Sequence, residues 1–201
     1  MTDAPELGHV TDRLPPFKYS ALTRVWFSDT DAQGVVYYGR YLPYFDNART
    51  EYHRHLGGFA TPGREFVMRA SAVEYHAPAR FDDLIEAFVR VSRIGRSSMT
   101  YECAAYRQPD DTLMVTARQT LVLVDLTERR PVEVPTELRA AIAQFEKDDL
   151  EPGAMHSSRF AGSSTRRPTP TTSCARWWPR SHRLRERAGP VSLLSRMGRS
   201  V

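Results

Sequence analysis

Two carboxylates, Asp29 and Asp31, stand in the segment FSDTDAQGVVYYGRY that runs from Phe27 to Tyr41. A strand-like run precedes them and an aromatic, helix-patterned run follows. A carboxylate just ahead of a helix start lies beside backbone N–H groups with no partner in the helix. Such groups can hold an oxyanion as it forms. The pattern therefore points to acid–base or nucleophilic attack at a carbonyl carbon. A competing reading needs no chemistry: Asp is a common turn residue, and the pair would simply bracket the turn. Spacing alone leaves both open.

Other reactive side chains are scattered. Asp46 and Glu51 fall on the helical run, and Glu51 is spaced to pair with Arg54 or His55 on the helix surface. His53 and His76 have no companions at ligand spacing and read as packing or surface residues, so no metal site is implied. Cys103 and Cys174 sit in unlike contexts, one strand-like and one in a polar tail. With no export signal at the N-terminus, they fit a reducing compartment, and a cytoplasmic location is expected.

Periodicity identifies the elements that must position the Asp turn. Ser20–Ser28 has strand composition. Tyr41, Tyr44, Phe45, Ala48, Tyr52 and Leu56 recur at steps of three and four, giving one apolar helical stripe that Gly57 and Gly58 terminate. Glu65–Glu74, Leu84–Ile94, Ser98–Arg107 and Thr112–Leu126 read as strands, and the last three are joined closely enough for antiparallel hairpins. Thr136–Lys147 reads as a short helix. The long helix is the element large enough to cover the sheet, so the fold class is α+β.

The chain divides by composition. Residues 1–17 read as a flexible lead-in and 18–150 as the folded domain. Residues 151–201 contain ten Arg, no Lys and two acids, a charge of +8 in a chain whose total is +4, so residues 1–150 carry −4. The basic character belongs to the tail, and no nucleic-acid partner is expected for the folded part. The tail is expected to be disordered, either as an Arg-rich arm for acidic partners or as the product of a shifted reading frame. No apolar run reaches the ~20 residues of a membrane-spanning helix.

The stretches FSDTDAQGVVYYGRYLPYFDNARTEYHRHLG and AVEYHAPARFDDLIEAFVRVSRIGRSSMTYE resemble hotdog-fold acyl-CoA thioesterases of the 4-hydroxybenzoyl-CoA thioesterase family, nearest the Tol-Pal-associated branch. The resemblance covers roughly residues 20–147. It implies a five-stranded antiparallel sheet wrapped around one long central helix, with a short C-terminal helix. It also implies hydrolysis of an acyl-CoA to free acid and coenzyme A, no bound cofactor, and dimers or dimers of dimers with sites at subunit interfaces.

Carried over by position, Asp31 is the catalytic carboxylate, as nucleophile or as general base for water. The Tyr38 backbone N–H polarises the thioester carbonyl. Gly34 and Val36 shape the turn, and Asp29 falls to an architectural role. Arg93, Arg96, Ser97 and Ser98, in the hairpin SRIGRSS, are the implied contacts for the coenzyme A nucleotide, with Arg69 a weaker candidate. Tyr37, Tyr38, Tyr41, Tyr44 and Phe45 line an acyl pocket or fill the core. A non-hydrolytic acyl-CoA-binding or regulatory hotdog module is the competing class, and a hotdog dehydratase ranks behind it.

Overall fold

The computed structural model describes residues 7–58 and 62–151. The expectations for residues 152–201, and for the first six residues of the lead-in, lie outside the described residues.

The described elements are β1 (Gly8–Val10), β2 (Tyr19–Arg24), α1 (Tyr41–His55), β3 (Arg64–Tyr75), β4 (Leu84–Ile94), β5 (Ser98–Gln108), β6 (Thr112–Asp125), β7 (Arg130–Pro131) and α2 (Thr136–Glu146). The strands form one antiparallel sheet in the order β1-β2-β4-β5-β6-β3, with the short β7 paired to β6. The five long strands are the ones the sequence predicts, and the sheet is the hotdog sheet with two short strands added. β4–β5 and β5–β6 are tight hairpins, as their short connections require.

α1 packs over β4 and β2. Its stripe of Tyr41, Tyr44, Phe45, Ala48 and Tyr52 is buried, as the three–four spacing demands. Gly57 and Gly58 end it at φ +105° and +65°, their N–H groups bonding to the Arg54 and His53 carbonyls. β4 is buried along nearly its whole length on both faces, its polar residues Glu86, Arg90 and Ser92 included. β3 is the opposite case: it ends the sheet, pairs with β6 on one side, and is exposed at most of its positions. No described helix is long and apolar enough to cross a membrane.

Two expectations differ from the structure. The run Ser20–Ser28 stops being a strand at Arg24, and Phe27–Asp29 forms a 3₁₀ turn. The cause is Asp29, whose carboxylate accepts the Trp26 N–H at 3.0 Å and curls the chain back. The lead-in is also tied down over its described part. β1 pairs with β2, Arg13 bonds to Glu86 and Asp111, and Phe17 packs on Phe88 with centroids 6.0 Å apart. At the far end of the domain the Glu151 N–H bonds to the Ser92 carbonyl.

Candidate functional site

The loop after the 3₁₀ turn closes on itself. The Gly34 N–H donates to the Asp31 carbonyl, the Asp31 N–H to the Val35 carbonyl, and Thr30 bridges Val36. Gly34 stands at φ +73°, a left-handed conformation that a Cβ would penalise. Val36 is buried, and its N–H donates to the Ala79 carbonyl while the Ala79 N–H donates to the Tyr41 hydroxyl. Pro78-Ala79 thus clamps the turn and the start of α1 to one another.

Within this frame the two aspartates have opposite surroundings. Asp29 is buried, and both its oxygens are in use. Oδ1 accepts from Arg40 Nε at 2.8 Å and Nη2 at 2.5 Å, and Oδ2 from the Trp26 N–H and, at 2.7 Å, the Tyr44 hydroxyl. Burial alone would raise its carboxyl; the bonds from Tyr44, Trp26 and Arg40 outweigh that and hold it below the usual carboxylate range. The same contact with Asp29, added to burial, pushes the Tyr44 hydroxyl far above its ordinary range. Asp29 is therefore a fully engaged structural anion.

Asp31 is half-buried. Oδ1 accepts the Gln33 N–H at 2.8 Å, and among the described residues Oδ2 has no hydrogen bond and the carboxylate no ion pair. Such a carboxylate is aimed by its turn yet still available.

Tyr38–Arg40 is a 3₁₀ turn that runs directly into α1. No side chain caps it, and among the described residues neither the Tyr38 nor the Gly39 N–H has an acceptor. Pro43 occupies the first turn of α1, where its missing N–H costs no helical bond. Around this start lie exposed rings: Tyr37 and Tyr38 have centroids 4.1 Å apart, and Tyr38 and Tyr75 meet edge to face at 6.4 Å. Tyr41, Tyr44 and Phe45 are core, whereas Tyr37 and Tyr38 face outward. Sequence reasoning missed Arg40 and Tyr75. The signal for Arg40 was a basic residue at the helix start that follows the Asp turn, eleven residues beyond Asp29; for Tyr75 nothing in the spacing could have served.

The predicted nucleotide contacts lie elsewhere in the chain. Arg93, Arg96, Ser97 and Ser98 surround the β4–β5 hairpin, whereas the Asp turn is anchored near Ala79 and Asp83, before β4 begins. The ten steps of β4 separate them by about 30 Å along the strand. The single chain does not bring the two sets together. Among the described residues neither Arg93 nor Arg96 has an ion pair. Arg139 of α2 donates to the Gly95 carbonyl at 2.9 Å and adds a third guanidinium that sequence reasoning missed. Arg69 is exposed at a bulge on the outer edge of β3.

The remaining candidates are structural. Asp46 pairs with Arg49 at 2.5 Å, and buried Glu51 pairs with Arg54 and accepts the Leu7 N–H. His53 meets the Tyr101 hydroxyl at 2.7 Å, and burial, aided by Arg49, lowers its pKa to about 4. His76 contacts the Thr116 hydroxyl at 3.1 Å.

The chain is similar in sequence and fold to known proteins. The sequence profile of the thioesterase-like superfamily matches residues 25–142. An acyl-CoA thioesterase, YbgC, of Haemophilus influenzae is 37% identical over 129 residues, covering 61% of this chain and 93% of that protein. An acyl-CoA thioester hydrolase of Escherichia coli is 33% identical over 128 residues, covering 62% and 92%. The crystal structure of a probable thioesterase from Bartonella henselae superposes with a TM-score of 0.54 at 30% identity, covering 58% of this chain and 97% of that one. A 1,4-dihydroxy-2-naphthoyl-CoA thioesterase from Synechocystis, at 17% identity and TM-score 0.59 over 63% and 96%, shares the fold.

Proposed function

We propose that this chain, which belongs to the thioesterase-like superfamily, is a thioester hydrolase that cleaves acyl-CoA to a free carboxylic acid and coenzyme A. The names of its relatives in Haemophilus influenzae and Escherichia coli support the substrate class. The observation that carries the mechanism is the contrast between the two aspartates: Asp29 is saturated, while Asp31, among the described residues, keeps one oxygen unengaged in the turn that leads into an uncapped helix start.

Asp31 delivers the attacking oxygen, as its own carboxylate or as that of a water it deprotonates. The Tyr38 N–H receives the charge that develops on the thioester oxygen, with the positive end of the α1 dipole behind it. The C–S bond breaks, the thiolate leaves and takes up a proton, and water supplies the second oxygen of the acid. A thioester is already activated, so the scheme uses no bound cofactor.

The working unit in this proposal is a homodimer, alone or paired into a tetramer. β3 presents twelve residues of exposed sheet edge, including Val67 and Met68, and long unprotected edges ordinarily acquire a partner strand. A second copy would also bring the Arg93–Arg96 hairpin to a site it cannot reach within its own chain. The setting we propose is the cytoplasm, where Cys103, buried and without a disulfide among the described residues, stays reduced.

The test is thiol release from a panel of aliphatic and aromatic acyl-CoAs. The wild-type protein should turn over at least one, and Asp31→Asn should lose that turnover by a factor of about 10² or more. Binding without turnover across the panel would favour the non-hydrolytic module, and near-normal turnover by Asp31→Asn would reject the mechanism.

A further inference from the structure

The last residue of β3 makes a contact that the scheme above does not use. The Tyr75 hydroxyl donates to the Tyr38 carbonyl at 3.0 Å. That carbonyl belongs to the peptide whose other end is the Gly39 N–H, and in a planar trans peptide the two point in opposite directions. A hydrogen bond that fixes the carbonyl therefore aims the N–H. It also polarises the amide, which makes the N–H a better donor.

The neighbouring peptide is pinned in the same way, by the Arg40 N–H on the Tyr37 carbonyl at 2.8 Å. That second clamp is local to the 3₁₀ turn. Tyr75 comes from the sheet, 37 residues away in sequence.

Three observations converge on the Tyr38–Gly39 peptide. Among the described residues the Gly39 N–H has no acceptor. A Cβ at Gly39 would stand 3.1 Å from the Tyr37 ring, so glycine leaves this peptide bare on a crowded surface. The Tyr75 ring is itself held, edge to face against both Tyr38 and Tyr41, at 6.4 and 6.1 Å. Tyr41 in turn is fixed by the bond from the Ala79 N–H. Partial burial, followed by the neighbouring Tyr38, raises the Tyr75 hydroxyl above its ordinary range and keeps it protonated.

We propose that Tyr75 is a positioning residue for thioester hydrolysis: by holding the Tyr38 carbonyl it orients the Gly39 N–H as a second oxyanion donor beside that of Tyr38. The inference rests on the thioesterase reading of the site. Tyr75 does not touch the reacting atoms, and its effect passes through one peptide plane. Direct removal of an oxyanion donor costs about 10²–10³ in turnover, and misorienting one of two donors costs less, about tenfold.

The test is Tyr75→Phe, which keeps the ring and its packing and removes the hydroxyl. With an acyl-CoA that the wild type hydrolyses, kcat should fall about tenfold while KM stays within about twofold, because the bond acts on the transition state. Thermal unfolding should be unchanged. A second readout uses Asp31→Asn, which should hold its substrate uncleaved. The infrared carbonyl stretch of bound acyl-CoA labelled with ¹³C at the carbonyl should lie below its solution frequency, and adding Tyr75→Phe should return part of that shift.

A kcat within twofold of wild type, or a rise in KM at constant kcat, would overturn the positioning role while leaving the thioesterase intact. An unchanged carbonyl frequency in the double variant would do the same. Absence of thiol release from any acyl-CoA by the wild-type protein would remove the thioesterase reading, and this proposal with it.

Discussion

Replacing each aspartate of the turn by asparagine should separate stability from activity across two residues. In Asp29→Asn the new amide has one oxygen and one NH₂ group where the carboxylate had two acceptors for four donors. Turning the oxygen toward Arg40 keeps those bonds. The NH₂ then faces Tyr44, whose hydroxyl can rotate to accept, and the Trp26 N–H, which cannot. One part-buried backbone donor is left unpaired, at about 1–3 kcal/mol. The lost charge pairing with Arg40 adds under about 1 kcal/mol, because that guanidinium is 44% exposed and regains water. The sum is about 1–4 kcal/mol, which for a domain of this size lowers Tm by roughly 3–15 °C. In Asp31→Asn the side-chain oxygen can still accept the Gln33 N–H at the half-exposed turn, so stability should move by less than about 0.5 kcal/mol. Calorimetry and thiol release on both variants provide the assay. Equal losses of Tm in the two, or an unchanged Tm in Asp29→Asn, would refute the assignment of architecture to one and chemistry to the other.

Two further predictions follow from the packing. His53 has a folded pKa of about 4, below the unfolded value of about 6.5, so the unfolded chain takes up the proton first. Its contribution is complete above pH 6.5 and is lost as pH falls toward 4, by up to about 3 kcal/mol; urea titrations from pH 7 to 4 should show this slope, and His53→Gln should flatten it. If the Arg96 hairpin serves the partner's site, Arg96→Ala should raise KM for acyl-CoA with little change in kcat. Mixing and re-annealing inactive Asp31→Asn chains with Arg96→Ala chains should then restore roughly a quarter of the sites in a statistical dimer population, read as thiol release at low substrate concentration; no gain on mixing would place both residues in one chain's site.

The elements of the fold were legible because their causes are local. A stripe of Tyr41, Tyr44, Phe45, Ala48 and Tyr52 can bury one face only as a helix, and Gly57-Gly58 can stop it without strain. The tight hairpins around Gly95 and Asp111 follow from connections too short for any other topology. The end of β2 was misplaced because strand composition in Thr23–Ser28 competes with a carboxylate three residues beyond Trp26, and the hydrogen bond wins.

For the site, sequence supplied the aspartate pair, the left-handed Gly34 and the helix start that follows them. Spacing could not tell the two carboxylates apart, since they differ by what surrounds them. Tertiary structure decided that Asp29 meets Arg40, Tyr44 and the Trp26 N–H while Asp31, among the described residues, keeps an oxygen free. It also brought Tyr75 to the Tyr38 carbonyl and set the Arg93–Ser98 hairpin at the far end of β4. The physical reason is range: helix periodicity, caps and turns are written in neighbouring residues, whereas a carboxylate's partners and a strand's far end come from segments the chain brings together only when the sheet closes over the helix.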